Sequence, residues 1–256
     1  MRTHTPTSRR ACLAAWQTAV NRMNTSTLPA LPALHYHPLS SYCQKVLIAA
    51  DVLGVALDKR LLNLGNPDQR ASFLALWPTG KMPLLVDGQR PVAESSIIIE
   101  HLQRHHAQAG CTLIPDDTDA ALEVRLWDRL FDLYVMTPMQ ALTADLLRPE
   151  GERDARGVAQ ARDALASAYT FINKHLQGRN WAAGEAFSMA DCAAAPALFY
   201  AQTYVPLPAQ HTQLAAYFER LLQHPAVARA IDEARPFFPY YPGRAGLAPR
   251  FLAAAG

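Results

Sequence analysis

The spacing of apolar residues changes along the chain and divides it into an N-terminal α/β part and a C-terminal helical part. Short apolar or alternating runs bounded by Pro, Gly and Asp predict strands before residue 94. Runs with apolar residues three or four positions apart predict helices between these strands. The predicted strands are 34–37, 57–64, 84–86 and a short one through Val92, and the predicted helices run from Ser40 or Ser41 to Gly54, from 68 to 76 and from 95 to about 106.

From residue 119 onward the spacing is helical throughout, which predicts an all-α part over 119–256. Pro138 should kink or break the first long helix. The segment 107–118 is rich in small, turn-forming and acidic residues, so we expect a linker and a domain boundary there. The tail at 236–242 is too rich in proline for regular structure, and its aromatic residues could cover a cleft or the helices. The predicted helices are 119–147, 151–176, 210–223 and 225–235, and the packing stripe of the first is Leu122, Leu126, Leu130, Leu133 and Leu142.

Ser188-Met189-Ala190-Asp191 reads as a capping box with Asp in place of Glu at its third helical position. The pattern predicts a helix that begins after Ser188. We expect Asp191 to be buried and hydrogen-bonded to the backbone, with a role in folding and none in catalysis.

The composition excludes several classes of function. A formal charge of +2 on 256 residues is too small to indicate binding to nucleic acid or to an anionic membrane. No apolar run approaches the length of a membrane span. The four cysteines are scattered without metal-ligand spacing, which is typical of a reducing cytoplasm.

Residues 1–30 form a segment without Asp or Glu that contains several Arg. We expect a poorly packed extension without a catalytic role, or a start-site artefact. Met23 offers an alternative start immediately before the organised part of the chain.

Two pairs of serines stand at predicted helix starts, at 40–41 and 95–96. A hydroxyl beside free backbone N–H groups at the positive end of a helix stabilises an anion, including a thiolate. Either pair could equally be an ordinary N-cap.

The order of four motifs over residues 31–106 resembles the thioredoxin-like N-terminal domain of cytosolic glutathione transferases. They are S-S-Y-C-Q-K-V at 40–46, F-L-A-L-W-P-T-G-K-M-P at 73–83, the Asp87-Gly88 turn and Glu94-Ser95. The resemblance implies a βαβ-α-ββα domain over 31–106, followed by the all-helical domain over 119–256.

The resemblance implies that Ser40 donates a hydrogen bond to the sulfur of glutathione, as in serine-type enzymes. Ser41 and Tyr36 are alternatives, since Tyr36 stands where a tyrosine-type enzyme could carry its donor. Cys43 falls one turn into the helix, where a buried and inert thiol is expected. His35 and His37 flank the first strand without a matching metal cluster, so we interpret them as surface or packing residues.

The remaining site residues are also implied by the resemblance. Met82 would pair its backbone with the cysteinyl part of glutathione, next to a cis Pro83. Glu94 and Ser95 would bind the γ-glutamyl end, and Lys81 the glycyl carboxylate. No metal is expected. The acceptor pocket would be lined by Trp127, Phe131, Tyr134 and Met139, with Tyr200 and Tyr204 opposite.

The predicted function is therefore conjugation of glutathione, as co-substrate, to a small hydrophobic electrophile by a homodimeric cytoplasmic enzyme. The alternatives are another glutathione-dependent reaction on the same scaffold, such as isomerisation, dehalogenation or peroxide reduction, and a non-catalytic binding or regulatory protein.

Overall fold

The fold is known from a computed structural model, which describes residues 30–252. Its sheet has the strand order β2-β1-β3-β4, with β1 parallel to β2 and antiparallel to β3, and β3 antiparallel to β4. The predicted second strand is shorter than expected because it lies at the sheet edge and pairs only along the four residues of β1. The strands are β1 Ala33–Tyr36, β2 Asp58–Leu61, β3 Leu84–Asp87 and β4 Arg90–Ala93.

Three helices complete the α/β part, and the order βαβ-α-ββα agrees with the prediction. They are α1 Ser41–Val52, α2 Pro67–Leu76 and α3 Ser95–His105. Asn66 caps α2 by accepting hydrogen bonds from the N–H groups of residues 68 and 69. Residues 106–117 connect α3 to the helical part.

The helical part is built around a central helix that is buried along its whole length, Met189–Ala201. Its helices are α4 Thr118–Leu130, α5 Thr137–Leu146, α6 Ala155–His175, α7 Met189–Ala201, α8 Thr212–Gln223, α9 Pro225–Ala234 and the short α10 Pro249–Leu252. The described residues from Pro32 to Leu252 belong to one compact unit. The expected extension and the alternative start at Met23 lie outside the described residues. None of the described helices combines the length and the apolar character needed to cross a membrane.

The predicted first long helix contains a π-helical segment, Phe131–Met136, between α4 and α5. Pro138 lacks an N–H group and cannot donate to the preceding turn. Thr137 instead directs both its backbone N–H and its hydroxyl to the carbonyl of Asp132. The helix therefore changes its hydrogen-bond register here and continues through the proline.

The predicted leucine stripe is wrong for three of its five members. Leu122, Leu126 and Leu133 are 65%, 50% and 51% exposed, whereas Leu142 is buried. The face that is buried against α7 and α6 carries small, aromatic and acidic side chains, and the alanine-rich α7 allows close approach. Those buried residues are Ala121, Val124, Trp127, Asp128 and Phe131.

The structure confirms the predicted capping box and corrects the prediction for the tail. The capping box is present, and Asp191 is fully buried, accepting hydrogen bonds from the backbone N–H groups of Ala182 and Ser188 and from the hydroxyl of Tyr217. The tail is more regular than predicted, since Arg235–Tyr240 is a 3₁₀ helix. A 3₁₀ helix tolerates these prolines because it is short and few of its N–H groups need partners.

Candidate active site

Three loops meet at one end of the sheet, where β1 and β4 end and β3 begins. His35 on β1 pairs with Leu84 on β3, which pairs with Ala93 on β4. Because neighbouring strands lie about 5 Å apart, the residues that follow β1, precede β3 and follow β4 are brought together. These residues include Ser40, Met82 with Pro83, and Glu94 with Ser95.

Ser40 is the N-cap of α1. Its backbone is extended, and its hydroxyl oxygen accepts a long hydrogen bond of 3.4 Å from the N–H of Cys43. The side chain is half-buried and lines a cleft. The hydroxyl proton can therefore be donated into the cleft, at the positive end of a helix.

The alternatives to Ser40 have different surroundings. Ser41 is buried, 4% exposed, although it also borders the cleft. The hydroxyl of Tyr36 donates to Glu233 Oε1 at 2.6 Å, and Lys59 contacts the other oxygen of that carboxylate. Burial, followed by this hydrogen bond, raises the pKa of Tyr36 well above its ordinary value. Tyr36 is thus engaged away from the cleft.

Cys43 lies in the first turn of α1 and is fully buried. Burial raises the pKa of its thiol to about 12, which outweighs the opposing hydrogen bond from Ser40. Since the thiolate is the reactive form, Cys43 is inert at neutral pH.

The Met82–Pro83 peptide bond is cis, as the resemblance implied. Glu94 has a φ of 67°, an uncommon conformation for a residue other than glycine and one that occurs often at functional sites. Ser95 is buried and begins α3, and no described side chain caps that helix start. Its first N–H groups therefore remain available to an anion. Lys81 is exposed.

The cleft beside Ser40 has a volume of about 300 Å³ and walls that are mainly apolar. One wall comes from the start of the α/β part, and the other comes from α5, α7 and the tail. Leu147, at its mouth, is 71% exposed. The lining residues are His37, Leu39, Ser40, Ser41, Met82, Met139, Gln140, Thr143, Leu147, Tyr200, Tyr241 and Pro242.

The residues predicted to line the acceptor pocket fall in different places. Met139 and Tyr200 line the cleft, and the Tyr204 hydroxyl lies behind it, 2.8 Å from the hydroxyl of Thr143. Trp127 and Phe131 are core residues at 3% and 0% exposure. Trp127 of α4 stacks on Phe171 and His175 of α6, and Phe131, the first residue of the π segment, stacks on Tyr217 of α8, so both lie in the interior.

Tyr134, the remaining predicted pocket residue, is 59% exposed on the π segment and does not border the cleft. Sequence analysis missed His37, whose ring borders the cleft and whose pKa is lowered by burial. The aromatic residues of the tail were the available signal, since Phe237 packs edge-on against the His37 ring.

A buried ionic network fixes α1 and α3 to the helical part. Lys45 Nζ, on α1, lies 2.6 Å from Asp128 Oδ1, 2.8 Å from Asp132 Oδ2 and 3.0 Å from Ser96 Oγ. Ser96, next to Ser95, donates to Asp128. Burial raises the pKa of Asp132, and the attraction of Lys45 opposes that rise. The network therefore holds the two helix starts of the site in a fixed relation.

Comparison with known proteins identifies two family domains in the chain. Residues 34–110 match the N-terminal domain of glutathione S-transferases, and residues 130–225 match the C-terminal domain. Glutathione S-transferase 3 of Zea mays is 30% identical over 169 residues, which cover 64% of this chain and 76% of the plant protein.

Solved structures give the same result. A glutathione S-transferase from Methylobacillus flagellatus with bound GSH superimposes with a TM-score of 0.70 at 26% identity, covering 78% of this chain and 98% of the other. A glutathione S-transferase from Methylobacterium radiotolerans in complex with glutathione sulfonate has a TM-score of 0.69 at 25% identity, covering 78% and 94%.

Proposed function

The chain belongs to the glutathione S-transferase family and is an enzyme of this class, and we propose that it joins the glutathione thiolate to small hydrophobic electrophiles. The observation that carries the proposal is the position of Ser40, a helix-capping hydroxyl on the wall of an apolar cleft. A thiol held there would face a hydroxyl donor and a helix N-terminus, both of which favour its ionised form.

Other groups at the same end of the sheet could bind the remaining parts of glutathione. The uncapped start of α3 suits the γ-glutamyl carboxylate, and the carboxylate of Glu94 suits the γ-glutamyl amine. The backbone of Met82 suits the cysteinyl unit, which would pair with it as an added strand. Lys81 is the candidate partner of the glycyl carboxylate.

The acceptor would occupy the apolar cleft between Ser40 and α5. Met139, Leu147 and Tyr200 give that cleft an uncharged surface, and burial raises the pKa of Tyr200 above its ordinary value, so its phenol stays protonated. An apolar electrophile fits such walls better than a charged one.

We further propose a cytoplasmic homodimer. The described cysteines are free, which agrees with a reducing compartment. The exposed Leu122 and Leu126 of α4 and Leu133 of the π segment, together with Ile97 of α3 at 55% exposure, form an apolar surface that a second copy could cover.

The proposal is tested by measuring conjugation of glutathione to a panel of electrophiles with the wild type and two variants. Ser40→Ala should lower kcat by roughly tenfold to a thousandfold, as expected when one oriented donor is lost. Tyr36→Phe should keep near wild-type turnover.

Binding to immobilised glutathione without turnover of any electrophile would support the non-catalytic alternative. Turnover of isomerisation, dehalogenation or peroxide substrates alone would indicate another glutathione-dependent reaction. Normal conjugation by Ser40→Ala together with loss in Ser41→Ala or Tyr36→Phe would place the donor at that other residue.

A further inference from the structure

Three potential metal ligands converge near the β3–β4 turn, at the end of the sheet opposite the candidate active site. Asp87 ends β3, and His101 and His106 lie at the end of α3. His101 Nε2 is 2.7 Å and His106 Nε2 is 2.8 Å from the same oxygen, Asp87 Oδ2. One ligand atom from each residue lies within 4.8 Å of the other two.

The convergence depends on how the helix ends. Residues five positions apart point about 140° away from each other on a regular α-helix. His101 lies within α3, whereas His106 leaves the helix with a φ of −134°. That departure turns the second imidazole back toward the Asp87-Gly88 turn, beside the first.

The donor set and its spacing match a transition-metal site. Imidazole nitrogen and carboxylate oxygen bind Zn²⁺ at about 2.0–2.2 Å, which places neighbouring ligand atoms about 3.3 Å apart in a tetrahedral site. To bind a metal through Nε2, each neutral imidazole must carry its proton on Nδ1, and the carboxylate must move back slightly. The side chains of Asp87 and His106, at 23% and 27% exposure, have room to move and access to solvent.

The carboxylate is also in the form that a metal requires. An aspartate side chain is ionised at neutral pH. His105 lies on the outer side, with its ring centroid 4.6 Å from that of His101, and does not belong to the ligand cluster.

We propose that Asp87, His101 and His106 bind one divalent transition-metal ion, with Zn²⁺ as the ion that their chemistry fits best and with solvent completing the coordination. The ion would join the β3–β4 turn to the end of α3. Since α3 rises 1.5 Å per residue, His101 lies about 9 Å and His106 about 16 Å from Ser95 along the helix axis. The ion would therefore stabilise the fold and take no part in thiol chemistry.

The test uses the full chain, stripped with a chelator and kept free of glutathione, which itself binds metals. Titration with Zn²⁺ by calorimetry should show one ion per chain that is absent in the presence of chelator, and Zn²⁺ should raise the melting temperature. His101→Gln and His106→Gln should each weaken binding by about tenfold or more, since even the loss of a group that only supports a ligand costs that much. Co²⁺ in place of Zn²⁺ should give visible absorption bands that both variants lack.

His105→Gln is the matched control, because it removes a histidine from the same helix end that is not one of the three proposed ligands. Cys111→Ser controls for Zn²⁺ binding to a partly exposed thiol. If His101→Gln proves unstable, the more exposed His106→Gln and Asp87→Asn decide the question.

The proposal is overturned if the wild type binds no stoichiometric ion, or if His105→Gln loses binding as much as His106→Gln does. Glutathione conjugation by His106→Gln should stay at the wild-type level, so this test is independent of the proposed transferase activity.

Discussion

Ser40 and Tyr36 illustrate how neighbours assign different roles to similar hydroxyl groups. Tyr36 ends β1 and Ser40 lies in the turn after it, and each is a candidate donor to a thiolate. The Tyr36 hydroxyl is held by Glu233 at 2.6 Å, whereas the Ser40 hydroxyl accepts a long hydrogen bond from the N–H of Cys43 and lines an apolar cleft. These surroundings favour Ser40 as the proposed donor.

Ser95 is predicted to contribute to the binding of glutathione and not to the chemical step. Ser95→Ala should raise KM for glutathione roughly tenfold and leave kcat nearly unchanged, because a hydrogen bond to the γ-glutamyl carboxylate stabilises the ground state and the transition state equally. Steady-state kinetics with varied glutathione measures the split. Ser72→Ala, on the exposed surface of α2, is the control. An unchanged KM in a folded Ser95→Ala protein would remove Ser95 from the site.

At the scale of single residues, the sequence predicts what a short motif carries. The serine at a helix start, the proline before a strand and the aspartate of the capping box are all local patterns, and each lies at the predicted point of its element. His37 and Lys45 were missed because their roles depend on residues far away in the chain, Phe237 for the first and Asp128 with Asp132 for the second.

At the scale of elements, the Lys45 network determines how α1 and α3 are held. One ammonium group faces two buried carboxylates, and a serine hydroxyl links one of these to the neighbouring helix. Arg129, about half exposed, contacts Asp132 from the surface at 3.1 Å. Removing the central cation would leave two buried negative charges about one helical turn apart.

Lys45→Met should therefore lower the free energy of unfolding by about 3–5 kcal/mol. Urea denaturation, followed by fluorescence, measures the change. Lys59→Met is the matched control, because Lys59 forms an exposed salt bridge with Glu233 that is worth less than about 1 kcal/mol. A loss of less than 1 kcal/mol for Lys45→Met would show that the network contributes little to stability.

Most helix starts were predicted well because caps are local, although α6 begins at Ala155 and not at residue 151. The buried face of α4 was not predicted. Leucine at every fourth position normally marks the buried stripe of a helix. Here the buried side chains include an alanine and an aspartate, beside the alanine-rich α7, and a tryptophan that stacks on Phe171 and His175 of α6. Which face is buried depends on these partners, and the sequence of α4 alone does not contain this information.

At the scale of the whole molecule, the leucines that α4 and the following π segment leave exposed have a consequence for assembly. Leu122, Leu126 and Leu133 share one face, and the salt bridge between Arg125 and Glu100 joins that face to α3. An apolar surface of this kind usually marks an interface.

Leu126→Glu should convert the predicted homodimer to a monomer, since it places a charge in the middle of the apolar surface. Analytical ultracentrifugation at several concentrations measures the association. Leu76→Glu, at an exposed leucine of α2, should leave the dimer intact. A monomeric wild type, or a Leu126→Glu protein that dimerises normally, would contradict the proposed interface.

The order of elements in the α/β part could be predicted from the sequence because turn residues and strand runs alternate over short distances. The cleft could be predicted only in outline. Its second wall combines Met139 and Thr143 of α5 with Tyr241 of the tail, about a hundred residues later. Such a surface arises from tertiary packing, which local patterns do not report.

The most direct test of the central claim is the pKa of the glutathione thiol when bound to the enzyme, measured from the ultraviolet absorption of the thiolate. Each protein without glutathione supplies the baseline, and Cys43, with a pKa of about 12, adds no thiolate below pH 9. The bound thiol of the wild type should titrate near pH 6.5, about two pH units below its ordinary value of roughly 8.5. Ser40→Ala should return the titration toward 8.5, and Tyr36→Phe should leave it at the wild-type value. A Ser40→Ala enzyme whose bound thiol titrates as in the wild type would contradict the account.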